Sequence, residues 1–198
     1  YEMSASLVGS EMCIRDSREA WRGNYYGEIR ACAKGEGEFI MKPYLLGIDI
    51  GTSACKVAVF EKSGTVVAAA NGDYPVYYPK EGWAEQNPEE WWSAVCQAVK
   101  KVIEKAGIQL EEIAGIGIDG QSWSAIAMDK DGNVLTNTPI WMDTRAQSIC
   151  DRLNEEIGAD KIFEVSGNSL QPSYTTAKIL WYKENLPEVY AKIDKILQ

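Results

Sequence analysis

Three consecutive strand patterns, separated by short turns, constrain the fold of this chain more than any other feature. Residues Tyr44–Ile50 are apolar apart from Tyr44, Gly47 and Asp49 and predict a buried strand. The apolar runs Lys56–Phe60 and Thr65–Ala70 predict the second and third strands, and Gly and Ser occupy the turns between them. We therefore expect the domain to begin with a three-stranded meander.

A long helix is predicted next. Asn87 is a suitable N-cap, Pro88 suits the first helical position, and apolar residues recur every three or four positions up to Ala106, before Gly107. Two further apolar runs, 113–118 and 125–128, predict buried strands of the same sheet, which would then have about five strands. Helical patterns follow, near 144–157, 160–165, 175–184 and 187–193. The fold class is therefore α/β, a mixed sheet flanked by helices.

The usage of basic residues changes at Met41. Residues 1–40 contain four arginines and one lysine, whereas the chain from Met41 onward contains thirteen lysines and two arginines. The first forty residues also lack strand or helix periodicity. We expect residues 1–40 to be a non-native or disordered extension and residues 41–198 to form the domain. Because Lys195–Gln198 resembles the opening of another strand, we expect the fold to be incomplete at this end.

Composition excludes several classes of function. Lys and Arg number 20 against 29 Asp and Glu, a net charge of −9 that argues against nucleic-acid binding. The chain has no histidine, which excludes Ser-His-Asp triads and leaves a carboxylate as the first choice for a general base. Five cysteines without a C-x-x-C pair fit a reducing cytoplasm. No apolar run is long enough to predict a membrane span.

The segment GIDIGTSACK at residues 47–56 combines groups that suit phosphate and Mg²⁺. Asp49 ends a buried strand and can hold a cation, while the backbone N–H groups of the following turn can form an anion-binding nest. The hydroxyls of Thr52 and Ser53 can donate to phosphoryl oxygens, and Lys56 adds positive charge. A plain β-hairpin in which Asp49 only caps the turn explains the same residues.

This segment resembles the first phosphate motif of the sugar-kinase, actin and Hsp70 ATPase superfamily, whose domains have a ribonuclease H-like fold. Three further segments are similar to those of FGGY carbohydrate kinases, closest to the xylulokinase members: GWAEQNPEEWW at 82–92, GIDGQSW at 117–123 and PIWMDTR at 139–145. The resemblance covers residues 41–198. It implies transfer of the γ-phosphoryl group of ATP, with Mg²⁺, to a sugar hydroxyl, for example of a pentulose such as D-xylulose.

The resemblance also implies roles for individual residues. Asp49 would assist catalysis beside the metal ion, and the nucleotide would contact Thr52, Ser53, Ala54 and Lys56. The sugar would contact Gln121, Ser122, Trp123 and Asp143. Xylulokinases have Met-His where this chain has Ser122-Trp123. We interpret Trp141 as a core residue, Arg145 as support for Asp143, and Lys178 as part of an amphipathic helix.

In this family the catalytic base is an aspartate of a second, nucleotide-binding domain, and residues 41–198 have no counterpart to it. We therefore expect this chain alone to be inactive, and the full-length enzyme to be a homodimer. Ser173, and not Tyr174, aligns with the glycerol-contacting tyrosine of glycerol kinases, which disfavours that activity. Two alternatives are a non-catalytic sugar- or nucleotide-binding module and an actin- or chaperone-like ATPase. The motifs at 82–92 and 139–145 argue against the ATPase.

Overall fold

The computed structural model describes residues 43–198, so the predicted extension at residues 1–40 and Met41 lie outside the described part of the chain. The main sheet has four strands, in the order β3-β2-β1-β5. Their bounds are Tyr44–Ile50 (β1), Ala54–Glu61 (β2), Val66–Asp73 (β3) and Ile113–Gly120 (β5). Strands β1 to β3 pair antiparallel, and β5 lies parallel to β1. The predicted mixed sheet with an initial meander is confirmed.

Helix α1 (Pro88–Ala106) connects β3 to β5 and packs on one face of the sheet. Asn87 Oδ1 accepts a hydrogen bond from the Glu89 amide at 3.0 Å, and Gly107 ends the helix with φ of 67°, as predicted. The helix lies so close to β3 that a Cβ atom on Gly72 would come within 2.8 Å of the Ala94 carbonyl oxygen. Buried aliphatic residues fill this interface: Leu46, Ile48, Val57, Val59, Ala98 and Val102.

Two expectations about the sheet are wrong. Strand β5 was expected to be buried, but Ile116 and Ile118 are 57% and 44% exposed, because α1 covers β2 and β3 and leaves β5 at the edge of the described sheet. The fifth predicted strand, β6 (Ile126–Met128), does not join this sheet. It pairs antiparallel with β8 (Lys195–Leu197), while β4 (Glu85–Gln86) pairs with β7 (Thr138–Pro139).

Helices dominate the remainder of the chain. They comprise a short 3₁₀ turn (Leu110–Glu112), α2 (Gln147–Leu153), a π-helical turn (Asn154–Gly158), α3 (Ala159–Ser166), α4 (Thr175–Asn185) and α5 (Pro187–Tyr190). Helix α4 forms a second core with β6 and α2. One of its two lysines, Lys178, is fully buried, so the interpretation of Lys178 as one position of an ordinary amphipathic helix is wrong. No helix among residues 43–198 is long and apolar enough to cross a bilayer.

A buried ion network joins β4 to the segment before α2. Asp143 is fully buried and accepts hydrogen bonds from the Ala84 amide at 2.7 Å and from the Arg145 amide at 2.9 Å. The Arg145 guanidinium lies 2.8 Å from both Asp143 and Glu85, and 3.8 Å from the centre of the Trp83 ring. The position of Arg145 agrees with the interpretation that it supports Asp143.

Replacing Asp143 with Asn should lower the free energy of unfolding by about 3–5 kcal/mol, because it removes one member of a buried ion pair and leaves Arg145 partly uncompensated. Urea titration followed by circular dichroism measures this. The matched control is Asp131→Asn at an exposed turn, which should change stability by less than about 0.5 kcal/mol. Equal effects of the two substitutions would contradict the structural role of Asp143.

The buried lysine predicts a pH dependence of stability. Burial lowers the pKa of Lys178 to about 8; the nearby Asp143 raises this pKa and Arg145 lowers it further. In the unfolded chain the pKa of a lysine is about 10.4. Between these two values the unfolded chain binds a proton that the folded chain does not, so this group makes the free energy of unfolding rise with pH.

The difference in unfolding free energy between the wild type and Lys178→Met should therefore grow in favour of the wild type by about 1.5 kcal/mol from pH 8 to pH 9.5. Urea titrations at both pH values measure it. The matched control is Lys183→Met, at an exposed position of the same helix, which should change stability by less than about 0.5 kcal/mol. A difference for Lys178→Met that falls with pH would contradict the lowered pKa.

Candidate functional site

The candidate site lies at the carboxyl ends of β1 and β5. These strands are parallel, so both end at the same edge of the sheet, where α/β folds place their ligand sites. Their register pairs Asp49 with Asp119 and Ile50 with Gly120. The Gln121 amide then donates a hydrogen bond to the Ile50 carbonyl at 3.0 Å, which extends the pairing by one residue into the loop.

An open cavity of about 290 Å³ occupies this edge. It is lined by Asp49, Gly51, Thr52, Gly120, Gln121, Ser122, Trp123 and Trp141. Five of these residues are among those predicted from the sequence, and they come from two motifs about seventy positions apart. A second cleft, of about 400 Å³, lies between Tyr78 and Met142 and contains none of the predicted site residues.

Two hydrogen bonds hold the turn after β1 in place. The Gly51 amide donates to the Ala54 carbonyl at 3.1 Å, and the Tyr74 hydroxyl donates to the Gly51 carbonyl. Burial raises the pKa of Tyr74, so its hydroxyl stays a donor at neutral pH. A Cβ atom on Gly51 would lie 3.2 Å from the Ala54 oxygen and 3.8 Å from Asp49 Oδ1, so glycine keeps the space beside the carboxylate open.

The other predicted nucleotide residues lie outside the cavity. Lys56 pairs with Asp49 in the β1–β2 register, and its Nζ is 3.7 Å from Asp49 Oδ2. Ser53 is exposed on the turn, and Ala54 begins β2 with its carbonyl bonded to Gly51. Burial, with a contribution from Asp49, raises the pKa of the neighbouring Cys55 thiol to about 11, so it is not a nucleophile at neutral pH.

A fully buried side-chain amide that was not predicted as a site residue, that of Gln86, orients Gln121 at the cavity. Gln86 Nε2 lies 2.9 Å from the Thr52 carbonyl and 3.0 Å from the Pro75 carbonyl. Both partners only accept hydrogen bonds, so the amide nitrogen of Gln86 must face them and its Oε1 must face Gln121. Gln121 Nε2 donates to that oxygen at 2.8 Å.

The amide orientation of Gln121 is thereby fixed as well. Its Oε1 is buried and has no hydrogen-bond partner among residues 43–198. Leaving a buried acceptor unpaired costs about 1–3 kcal/mol, and this residue lines the cavity. The oxygen is therefore an unpaired acceptor on a residue that lines the cavity, although the oxygen itself is shielded from solvent.

Two tryptophans line the cavity. Trp123 is 44% exposed and adopts φ of 66°, in the left-handed region, and its ring centre lies 5.0 Å from that of Tyr174. Trp141 is 43% exposed, and its Nε1 donates to Thr52 Oγ1 at 2.9 Å. The interpretation of Trp141 as a core residue is wrong, because its indole is half-exposed and reaches across to the turn after β1. Trp141 belongs to the motif PIWMDTR, which also contains Asp143.

Asp143 itself does not line the cavity. Its carboxylate oxygens are bonded to Ala84 and Arg145 within the ion network described above. The prediction that Asp143 contacts the substrate is therefore corrected to a structural role, because neither oxygen faces the site.

The residues present fit a magnesium ion that arrives with a phosphorylated ligand. Asp49 supplies one carboxylate at the cavity, and no cluster of three or more metal-binding side chains occurs within residues 43–198. Mg²⁺ is commonly held by one or two carboxylates together with ligand phosphates and water, and does not need an all-protein cage.

Comparison with known proteins gives a consistent result. The family model for the N-terminal domain of FGGY carbohydrate kinases matches residues 44–198. A xylulose kinase of Bacillus subtilis is 36% identical over 149 residues, which cover 75% of this chain and 30% of that kinase. A glycerol kinase of the same species is 33% identical over 156 residues, which cover 78% of this chain and 32% of that kinase.

Solved structures agree. A xyloylose kinase from Brucella ovis superposes with a TM-score of 0.73 at 30% identity, covering 78% of this chain and 32% of that one. A ligand-bound xylulose kinase from Lactobacillus acidophilus gives 0.72 at 31% identity, covering 77% and 31%. The chain thus spans about a third of the length of its relatives, and the predicted ribonuclease H-like fold class is confirmed. The chain belongs to the FGGY family of carbohydrate kinases, whose N-terminal domain its residues 44–198 match.

Proposed function

We propose that residues 41–198 form the sugar-binding domain of an ATP-dependent carbohydrate kinase that phosphorylates a hydroxyl of a pentulose such as D-xylulose. One observation carries the proposal: Gln121, whose buried Oε1 has no hydrogen-bond partner among residues 43–198, lines a cavity together with Asp49 and the indoles of Trp123 and Trp141. The names of the relatives, which include xylulose kinases, support the choice of substrate class.

The cavity offers the two kinds of contact that a sugar needs. The half-exposed indoles of Trp123 and Trp141 can pack against the C–H face of the sugar, and Gln121 Oε1 can accept from a hydroxyl. The Ser122 hydroxyl lines the same cavity and can both donate and accept. These contacts bind and orient the substrate.

The turn after β1 is proposed to face the phosphates of ATP. Thr52 Oγ1 accepts from Trp141, which leaves the hydroxyl hydrogen of Thr52 free to donate to a phosphoryl oxygen. Lys56 and the exposed Ser53 lie beside it and add a positive charge and a further donor. Bound Mg²⁺ would neutralise negative charge on the phosphates, and Asp49 is the carboxylate that would hold it.

Titration of this chain with D-xylulose, followed by tryptophan fluorescence, tests sugar binding. Trp123→Ala should weaken the affinity about tenfold or more, because an indole that packs on the sugar is lost. Trp92→Ala is the matched control: Trp92 is 66% exposed on α1 and outside the cavity, so affinity should not change. Glycerol should bind more weakly than D-xylulose. Equal affinities of wild type and Trp123→Ala for D-xylulose would reject this site.

In a complete kinase that contains this domain, Asp49→Ala should lower kcat by about a hundredfold or more and leave KM for the sugar nearly unchanged. The reason is that Asp49 is proposed to act on charge at the phosphates. Asp119→Ala is the control, because Asp119 pairs with Asp49 in register but does not line the cavity. A raised KM at constant kcat would refute the role given to Asp49.

A further inference from the structure

Three side chains of α4 donate hydrogen bonds to three consecutive backbone carbonyls, those of residues 123–125. Lys178 Nζ lies 2.7 Å from the first carbonyl oxygen, Thr175 Oγ1 lies 3.1 Å from the second, and Tyr182 Oη lies 2.9 Å from the third. The three donors are spaced i, i+3 and i+7, which places them on one face of the helix. This face therefore fixes the path of the loop that carries the substrate-facing residues.

The loop needs such support at Trp123. A left-handed φ of 66° in a residue with a large side chain costs about 1–2 kcal/mol relative to ordinary conformations. Such conformations persist only where the surrounding structure determines them. The carbonyl of Trp123 is the one that Lys178 binds, so the lysine acts directly on the strained residue.

The Lys178 ammonium group also binds the backbone next to the second tryptophan of the cavity, Trp141. Lys178 Nζ lies 2.8 Å from the carbonyl oxygen of Ile140, which directly precedes Trp141. A single buried nitrogen therefore links the carbonyl of Trp123 to the carbonyl of the residue that precedes Trp141. Lys178 is fully buried and does not itself line the cavity.

We propose that Lys178 is a positioning residue that sets the separation of the Trp123 and Trp141 indoles and thereby decides how well the cavity binds its sugar. This inference rests on the proposed function, because it concerns the same cavity. It adds a residue of helix α4 that lies outside the cavity.

A donor is needed at this position for a physical reason. Methionine matches the length and flexibility of lysine but has no N–H group, so Lys178→Met removes a donor from the carbonyls of Trp123 and Ile140. The Ile140 carbonyl keeps its hydrogen bond from the Asp143 amide at 3.0 Å, so the loss falls mainly on the carbonyl of Trp123. The strained backbone at Trp123 is then free to relax. The charges that act on the ammonium group are Asp143 and Arg145, which belong to the segment that also carries Trp141.

The experiment uses ¹⁵N-labelled protein, so that each indole N–H gives a signal; Trp123→Phe and Trp141→Phe assign the two that matter. Adding D-xylulose to the wild type should shift both signals. In Lys178→Met both signals should already differ from the wild type without sugar, and the affinity for D-xylulose should fall at least tenfold. Lys183→Met, at an exposed position of the same helix, should match the wild type in both respects.

The outcomes separate the two proposals. If D-xylulose shifts neither indole signal in the wild type, the proposed sugar site fails. If the wild type binds but Lys178→Met keeps both indole signals and the affinity, the positioning role is overturned. If Lys178→Met does not fold, the ¹⁵Nζ signal of Lys178 in the wild type decides: it should shift as D-xylulose is added, and a constant signal alongside shifting indoles would overturn the role.

Discussion

The parallel pairing of β1 with β5 is the constraint on which the site depends. It sets Asp49 level with Asp119 and continues through the Gln121 amide, so two chain segments that each end a strand meet at one edge. Helix α1 makes this pairing possible, because a parallel connection needs a crossover that packs on the sheet. Without this register, the turn at Thr52 and the loop at Gln121 would not share a cavity.

Two buried polar side chains then fix the positions of the residues at this edge of the sheet. The Gln86 side chain forms hydrogen bonds with both the Thr52 carbonyl and the side-chain amide of Gln121. The Lys178 ammonium group donates to the carbonyls of both Trp123 and Ile140. Each group is fully buried, so each must satisfy its donors with the partners at hand, and few alternative arrangements exist. The cavity is therefore shaped by two buried side chains, Gln86 and Lys178, that do not line it.

Local patterns predicted the parts of this structure that depend on neighbours in sequence. The meander, the Asn87 cap and the helix end at Gly107 could be predicted from these patterns. The motifs also contain Asp49, Thr52 and Gln121, which line one cavity in the structure. Contacts between residues far apart in the sequence could not be predicted from these patterns. Strand β6 has the composition of a sheet strand but pairs with β8 about seventy residues later. Lys178 looks like any helical lysine until its acceptors, 55 and 38 residues earlier, are known.

The chain is similar to both xylulose and glycerol kinases, which is expected where the sheet and helices form a common scaffold and only the side chains around the cavity differ. The identities, 36% and 33%, are close, which fits a scaffold that can host more than one substrate specificity. Under the proposed function, discrimination between substrates would fall to the few side chains that line the cavity, among them Ser122 and Trp123. Because Trp123 has a left-handed backbone whose carbonyl is bonded to α4, the proposed site would respond to changes in the loop or in the helix beneath it, with the sheet unchanged.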